Sequence, residues 1–205
     1  MPSITRRPGA QPGRPATAEA ELLAAVRRLL AGGATFTELG VQAICKEAGV
    51  ARSTFYIHFK DKAALLLGLG AEFTSSSFAI ASSWQPQDGP EALADVFSHI
   101  VAVYREHAPV RRALAEVAAY DETVRAFWDA ELQPFTAGTI ALIRLEQDAG
   151  RIPADLDPVA VTRIVVPGGE RAIVDQVDHG DPAADDAFTR ELALTWWHGV
   201  YRRPT

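Results

Sequence analysis

The stretch VQAICKEAGVARSTFYIHFKDK, residues 41–62, decides how the rest of this chain is read. Val41, Ile44, Cys45 and Ala48 recur at i, i+3, i+4 and i+7, one face of a helix. Gly49 follows at once, a residue able to take positive φ where a helix must stop. A second short helix then sets Phe55 and Phe59 four apart on one face, with Arg52, Ser53, Tyr56 and His58 on the other. Two helices joined this tightly cross steeply, as in a helix-turn-helix. Such a unit offers the outward face of its second helix to a nucleic-acid groove. Short polar and basic side chains meet base edges there, and hydroxyls and amines at the helix ends meet phosphate.

The order Gly49-Val50, Ser53-Thr54-Phe55-Tyr56 and Phe59-Lys60-Asp61-Lys62 closely resembles the DNA-binding domain of the TetR family of transcriptional regulators. The match runs over about residues 18–69. It implies an all-α, nine-helix architecture with an N-terminal three-helix head and a C-terminal helical body. It also implies that Arg52 and Ser53 lie nearest the bases, and that Thr54, Tyr56 and His58 hold phosphate or sugar. Where relatives place Ser or Thr at the N-cap of the second helix, this chain has Gly40. Backbone N–H groups at that helix start still face an anion, and Gln42 points outward beside them. Lys62 falls in the first turn of the next helix, where a cation opposes the dipole. A phosphate partner would account for it.

Composition narrows the rest. The 205 residues carry a net charge of −6, which is unusual for a DNA binder until it is divided. Residues 1–62 hold nine basic and five acidic side chains, +4, and the remainder eleven and twenty-one, −10. A basic front end favours phosphate, and an acidic body is repelled from the flanking duplex. Residues 1–16 read as a disordered basic arm with Arg6, Arg7 and Arg14. Residues 17–62 read as the head, and residues 63–205 as a ligand-binding and dimerisation body. The single cysteine, Cys45, excludes an intrachain disulfide. No signal peptide is recognisable, and no apolar run of the ~20 residues needed to cross a bilayer. These features fit the cytoplasm.

Beyond the head every segment reads helical. A fourth helix runs to about Trp84, a fifth spans about Glu91 to His107, and a sixth about Pro109 to Ala119. A seventh extends from Asp121 to Gly150 with a bend at Pro134. Asp157-Pro158 and Asp181-Pro182 pair an N-cap with a Pro at the first helical position, opening the eighth and ninth helices. Val166-Pro167-Gly168-Gly169 should interrupt the eighth, so that either this helix kinks or the wall it gives to the body is reshaped.

Aromatic residues concentrate in the body. FWDAELQPF (residues 127–135), GGERAI (168–173) and WWHGVYRR (196–203) resemble the regulatory domain of the EthR-like branch of the family. That resemblance implies a long apolar tunnel for a small hydrophobic ligand. It places Leu93, Phe97, Ile100, Tyr104, Trp128, Phe135, Val166, Gly169 and Trp196 on the tunnel wall. It also implies a homodimer through the eighth and ninth helices, with Val159, Val161, Ile164, Ile173, Phe188 and Trp197 among the contacts, reading a palindromic operator. No metal, cofactor or membrane is implied. The five histidines show no metal-ligand spacing, and the chain has neither a Gly-rich phosphate loop nor a nucleophile elbow, which argues against an enzyme. Glu170 and Arg171 read as a surface or interface ion pair. The expected function is a DNA-binding repressor released by a small apolar molecule. The alternative is a regulator that acts constitutively or through a protein partner, its aromatics being only core.

Overall fold

Thr17 opens the first helix, its hydroxyl accepting the Ala20 N–H at 3.3 Å. In the computed structural model, which describes residues 17–202, this helix (α1, Ala18–Ala31) buries Leu22, Leu23, Val26 and Leu30. Acidic Glu19 and Glu21 in its first turn and Arg28 in its last complement the dipole. A short 3-10 turn, Phe36–Glu38, drops Phe36 into the core. Then come α2 (Val41–Ala48) and α3 (Arg52–His58). Gly49 between them sits at φ 67°, the left-handed region a side chain would strain, and the Val50 N–H reaches back to the Cys45 carbonyl at 3.0 Å. Asp61 caps α4 (Lys62–Ala81) by accepting the Ala64 N–H at 2.8 Å.

The body continues with α5 (Gly89–Glu106) and α6 (Ala108–Ala118). The expected seventh helix runs as two segments, α7a (Glu122–Ala130) and α7b (Gln133–Asp148). Pro134 does not bend one helix. It lies in the first turn of α7b, where its missing N–H is an orphan anyway. Next come α8 (Pro158–His179) and α9 (Asp185–Trp196), with a π turn carrying α9 on to Tyr201. Asp181 caps a 3-10 turn ahead of α9 rather than α9 itself. Among the described residues there is no strand.

The Pro-Gly-Gly run does not interrupt α8: helix continues through Pro167 from Pro158 to His179. Pro167 and Gly168 are exposed, and so is Arg163, whose carbonyl loses its i+4 donor. Gly169 faces inward. A Cβ there would lie 3.2 Å from the Trp196 indole nitrogen, so the small residue lets α9 approach α8.

Two cores result. The first gathers Leu22, Val26, Phe36, Ile44, Phe55 and Phe59 from the head with Leu65, Leu66 and Leu69 of α4 and Val110, Leu114 and Val117 of α6. The head is therefore seated on the body, and a boundary at residue 62 cuts through shared packing. The second core joins Phe73, Leu93, Phe97, Ile100, Tyr104, Ile143, Ile173, Val174 and Tyr201. One helix, α4, contributes to both. Contrary to the sequence expectation, α4 is long and apolar enough to cross a membrane, with mean hydropathy 1.4. Its Leu65, Leu66, Leu69 and Phe73 are buried inside the protein instead. A Cβ at Gly70 would come within 2.7 Å of the Phe127 ring, so α4 crosses α7a with no room to spare.

Candidate DNA-reading face and ligand cavity

Phe55 (0% exposed) and Phe59 (7%) anchor α3 in the first core and turn its opposite face outward. Arg52, Ser53, Tyr56 and His58 are exposed there, with Thr54 half-buried. The Arg52 guanidinium lies 3.4 Å from the Tyr56 hydroxyl and 5.8 Å from the ring centre, so the two side chains stand together one turn apart. His58 closes the helix, its Nδ1 3.9 Å from Glu19. Gly40 and Gln42 are exposed at the start of α2. Gly40 has extended backbone, and an added Cβ there would meet nothing within 4 Å. Only the residue type withholds a capping hydroxyl.

Two findings on this face were not expected. Ile57 is 77% exposed beside Tyr56. An apolar residue out of phase with the Phe55/Phe59 face was the available signal, and its exposure suits a thymine methyl. Lys62 has an intramolecular reason for its position. Its ammonium donates to the carbonyls of Phe36 (3.1 Å), Thr37 (2.7 Å) and Leu39 (3.3 Å) and lies 5.3 Å from the Phe36 ring centre. It clamps the segment that carries α2. No phosphate is needed to explain it.

In the body, α4, α5, α7b, α8 and α9 line a partly open cavity of about 320 Å³. Leu93, Phe97, Ile100, Tyr104, Phe135, Val166, Gly169 and Trp196 all line it. Trp128 does not. It lies on α7a and packs against the first core, because the break before α7b separates it from the wall. Residues not expected on the wall also line the cavity, among them Ser77 and Phe78 of α4, Trp84, Leu142, Glu170 and Tyr201. Edge-on aromatic pairs shape the wall: Phe78 with Phe135 at 5.5 Å, and Phe97 with Trp196 at 5.6 Å. Arg105 grips Asp185 through two 2.7 Å bonds and ties α5 to α9.

One end of this region is polar. Glu170 turns toward the cavity and does not form the ion pair with Arg171 that the sequence had suggested. Burial raises its carboxyl above the usual range, partly offset by the Arg111 and Arg171 charges. Glu131 is pushed up to about 7, by burial first and then by the Glu170 charge, while Arg111 pulls the other way. Burial, then Glu170 and Glu131, drives the Tyr104 phenol well above its ordinary value. Arg111 itself is engaged by Asp178. On α8, Val161 and Ile173 point inward, leaving Val159 and Ile164 (71% exposed) on the outer face. Among the described residues no group of His, Cys, Asp and Glu could hold a metal ion.

Comparison with known proteins gives two family matches. Residues 22–69 match the bacterial regulatory proteins of the tetR family. Residues 93–202, more than half of the chain, match the C-terminal domain of the transcriptional regulator EthR. The HTH-type transcriptional regulator EthR of Mycolicibacterium smegmatis is 28% identical over 97% of this chain and 94% of its own. Among solved structures, a transcriptional regulator from Saccharomonospora viridis in complex with choline superposes with a TM-score of 0.71 at 15% identity, over 91% of this chain and 98% of its own. The regulator FadR of Bacillus subtilis in complex with stearoyl-CoA gives 0.68 at 18% identity, over 85% of this chain and 95% of its own.

Proposed function

The chain belongs to the TetR family of DNA-binding transcriptional regulators, in its EthR-like branch, and from that premise we propose that it is a homodimeric repressor released from its operator by a small, mostly apolar ligand. The observation that carries this reading is the course of α4. Its first turns sit in the core under the DNA-reading helix, and its last turns supply Ser77, Phe78 and Ala81 to the cavity wall. A molecule that prefers one pose of α4 therefore shifts the posture of α3, and only to the extent of that preference.

In this reading residues 17–62 form the working head, although their core is shared, and residues 63–205 bind ligand and partner. Arg52, Ser53 and Ile57 face base edges; Gly40, Gln42, Thr54, Tyr56 and His58 face the backbone. Lys62 acts through the linker it clamps. The outer face of α8, with Val159 and Ile164, meets a second copy together with α9. Two heads then address major grooves about 34 Å apart in a palindromic operator. No catalytic role or cofactor is assigned, and the place of action is the cytoplasm. A ligand as large as stearoyl-CoA is not carried over from the FadR neighbour, because this cavity is near the small end of ligand sites, roughly 300–1,000 Å³.

The test is a mobility-shift titration on the intergenic DNA upstream of the gene with a panel of small apolar compounds. The reading expects at least one compound to release the complex at saturable concentration. Unchanged binding across the panel contradicts the ligand arm. It leaves the partner-controlled alternative standing.

A further inference from the structure

The cavity is not uniformly greasy. Among the described residues its ionisable lining consists of Glu170, Tyr104 and Tyr201, with no Lys, Arg or His. Glu170 makes no hydrogen bond or ion pair in the structure, and its side chain is only half-buried because it opens on the cavity. Tyr104, 5% exposed, lines the same space and also lacks a hydrogen-bond partner. Ser77, 1% exposed, contributes an unpartnered hydroxyl from α4. Arg111 and Arg171, whose charges reach Glu170, both lie outside the lining, and Arg111 is held by Asp178. Trp196, paired edge-on with Phe97, packs directly on Gly169, the neighbour of Glu170 in the chain.

Resting on the reading that this cavity is the ligand site, we propose that its ligand is a compact organic cation, an alkylammonium whose charged nitrogen meets Glu170 among the aromatic faces while its apolar part fills the wall between α4 and α7b. An unpaired carboxylate in a largely apolar cavity gains most from a cation, and aromatic rings add attraction for a weakly hydrated ammonium. An anionic head meets repulsion and no compensating donor charge. A neutral ligand fills the apolar part and leaves Glu170 unpaired. Recognition is thus set by charge at one end and by shape at the other.

Three probes of equal tail length separate these cases: octyltrimethylammonium, 1-octanol and octanoate. Their affinities are measured by calorimetry on the full-length dimer, alongside their effect on operator binding. The expected order is cation tightest, by about tenfold over octanol, with octanoate weakest by a further factor of about ten. In Glu170→Gln the cation's advantage falls to within roughly threefold while octanol binding holds. The three-probe order is read on the unaltered protein, so it stands even if the variant folds poorly. Octanoate binding as tightly as the cation, or an undiminished cation advantage in Glu170→Gln, overturns the proposal. If octanol binds and loosens the operator complex but the cation has no advantage, only this inference fails. If none of the three binds, the ligand arm of the proposed function fails with it.

Discussion

Lys62→Met removes an ammonium that donates to three carbonyls, those of Phe36, Thr37 and Leu39, at 2.7–3.3 Å. Hydrogen bonds from a charged donor contribute about 1.5–3 kcal/mol each in isolation, but three on one nitrogen do not add. Two of these contacts are half-buried and one is exposed, so their joint contribution is about 2–3 kcal/mol. Removing a cation from the first turn of α4 returns about 0.5 kcal/mol through the dipole. Methionine keeps the apolar stem over Phe36. The net loss is about 1.5–2.5 kcal/mol, and for a chain of this length that lowers Tm by roughly 3–10 °C. The assay is thermal unfolding without DNA at fixed protein concentration, because dimerisation makes Tm concentration-dependent. Operator affinity against salt is measured in parallel at a temperature where both proteins are folded. The account expects the fall in Tm with little change in salt slope. A Tm within about a degree of the parent, with the slope reduced by ~0.9 per protomer, would refute the reasoning and make Lys62 a phosphate ligand.

Further consequences follow from the same structure. Gly40→Ser places a hydroxyl at the α2 N-cap where the space is open; stability rises by a few tenths of a kcal/mol, and affinity for any duplex rises roughly two- to fivefold, read by melting and by anisotropy. Gly169→Val drives a side chain against Trp196 and into the cavity, costing about 1–3 kcal/mol and abolishing octanol binding in calorimetry while operator binding persists. Glu131 has a folded-state pKa of about 7, raised above its ordinary value by burial. The protonated form is therefore favoured by folding, and the stability it contributes is complete at low pH and is lost as pH rises through about 7. Glu131→Gln should remove that loss. Relative to the parent it gains roughly 1–3 kcal/mol between pH 5 and pH 8 in urea unfolding. An identical pH profile in the two proteins would show that Glu131 ionises normally.

The head was legible because its signals are local. Gly49 stops α2 within the motif itself, and Phe55 and Phe59 fix which face of α3 is buried, so the exposed set Arg52, Ser53, Tyr56 and His58 follows from spacing alone. Lys62 was not legible, since its partners are backbone carbonyls 23 to 26 residues earlier. Eight of the nine wall residues named through the resemblance do line the cavity, but Trp128 was misplaced, because the wall depends on where α7 breaks. Pro134 could have been read as a helix start, the role it has in α7b. Pro167 misled in the opposite direction: an exposed proline in a 22-residue helix removes one donor, that to the carbonyl of Arg163, itself an exposed residue, and the helix continues. Glu170 was hidden by its neighbour Arg171, which suggested an ion pair. Only the packing of α8 shows that it turns toward the cavity.

The most direct measurement is the ratio of affinities for the upstream intergenic duplex and an unrelated duplex, taken at several salt concentrations for the parent and for Arg52→Ala. The account predicts a ratio of about 10³ or more for the parent. For the variant it predicts a ratio reduced by about tenfold, with a similar affinity for unrelated DNA. No binding to either duplex at low salt, or an unchanged ratio in Arg52→Ala, would contradict the claim that the outward face of α3 reads DNA.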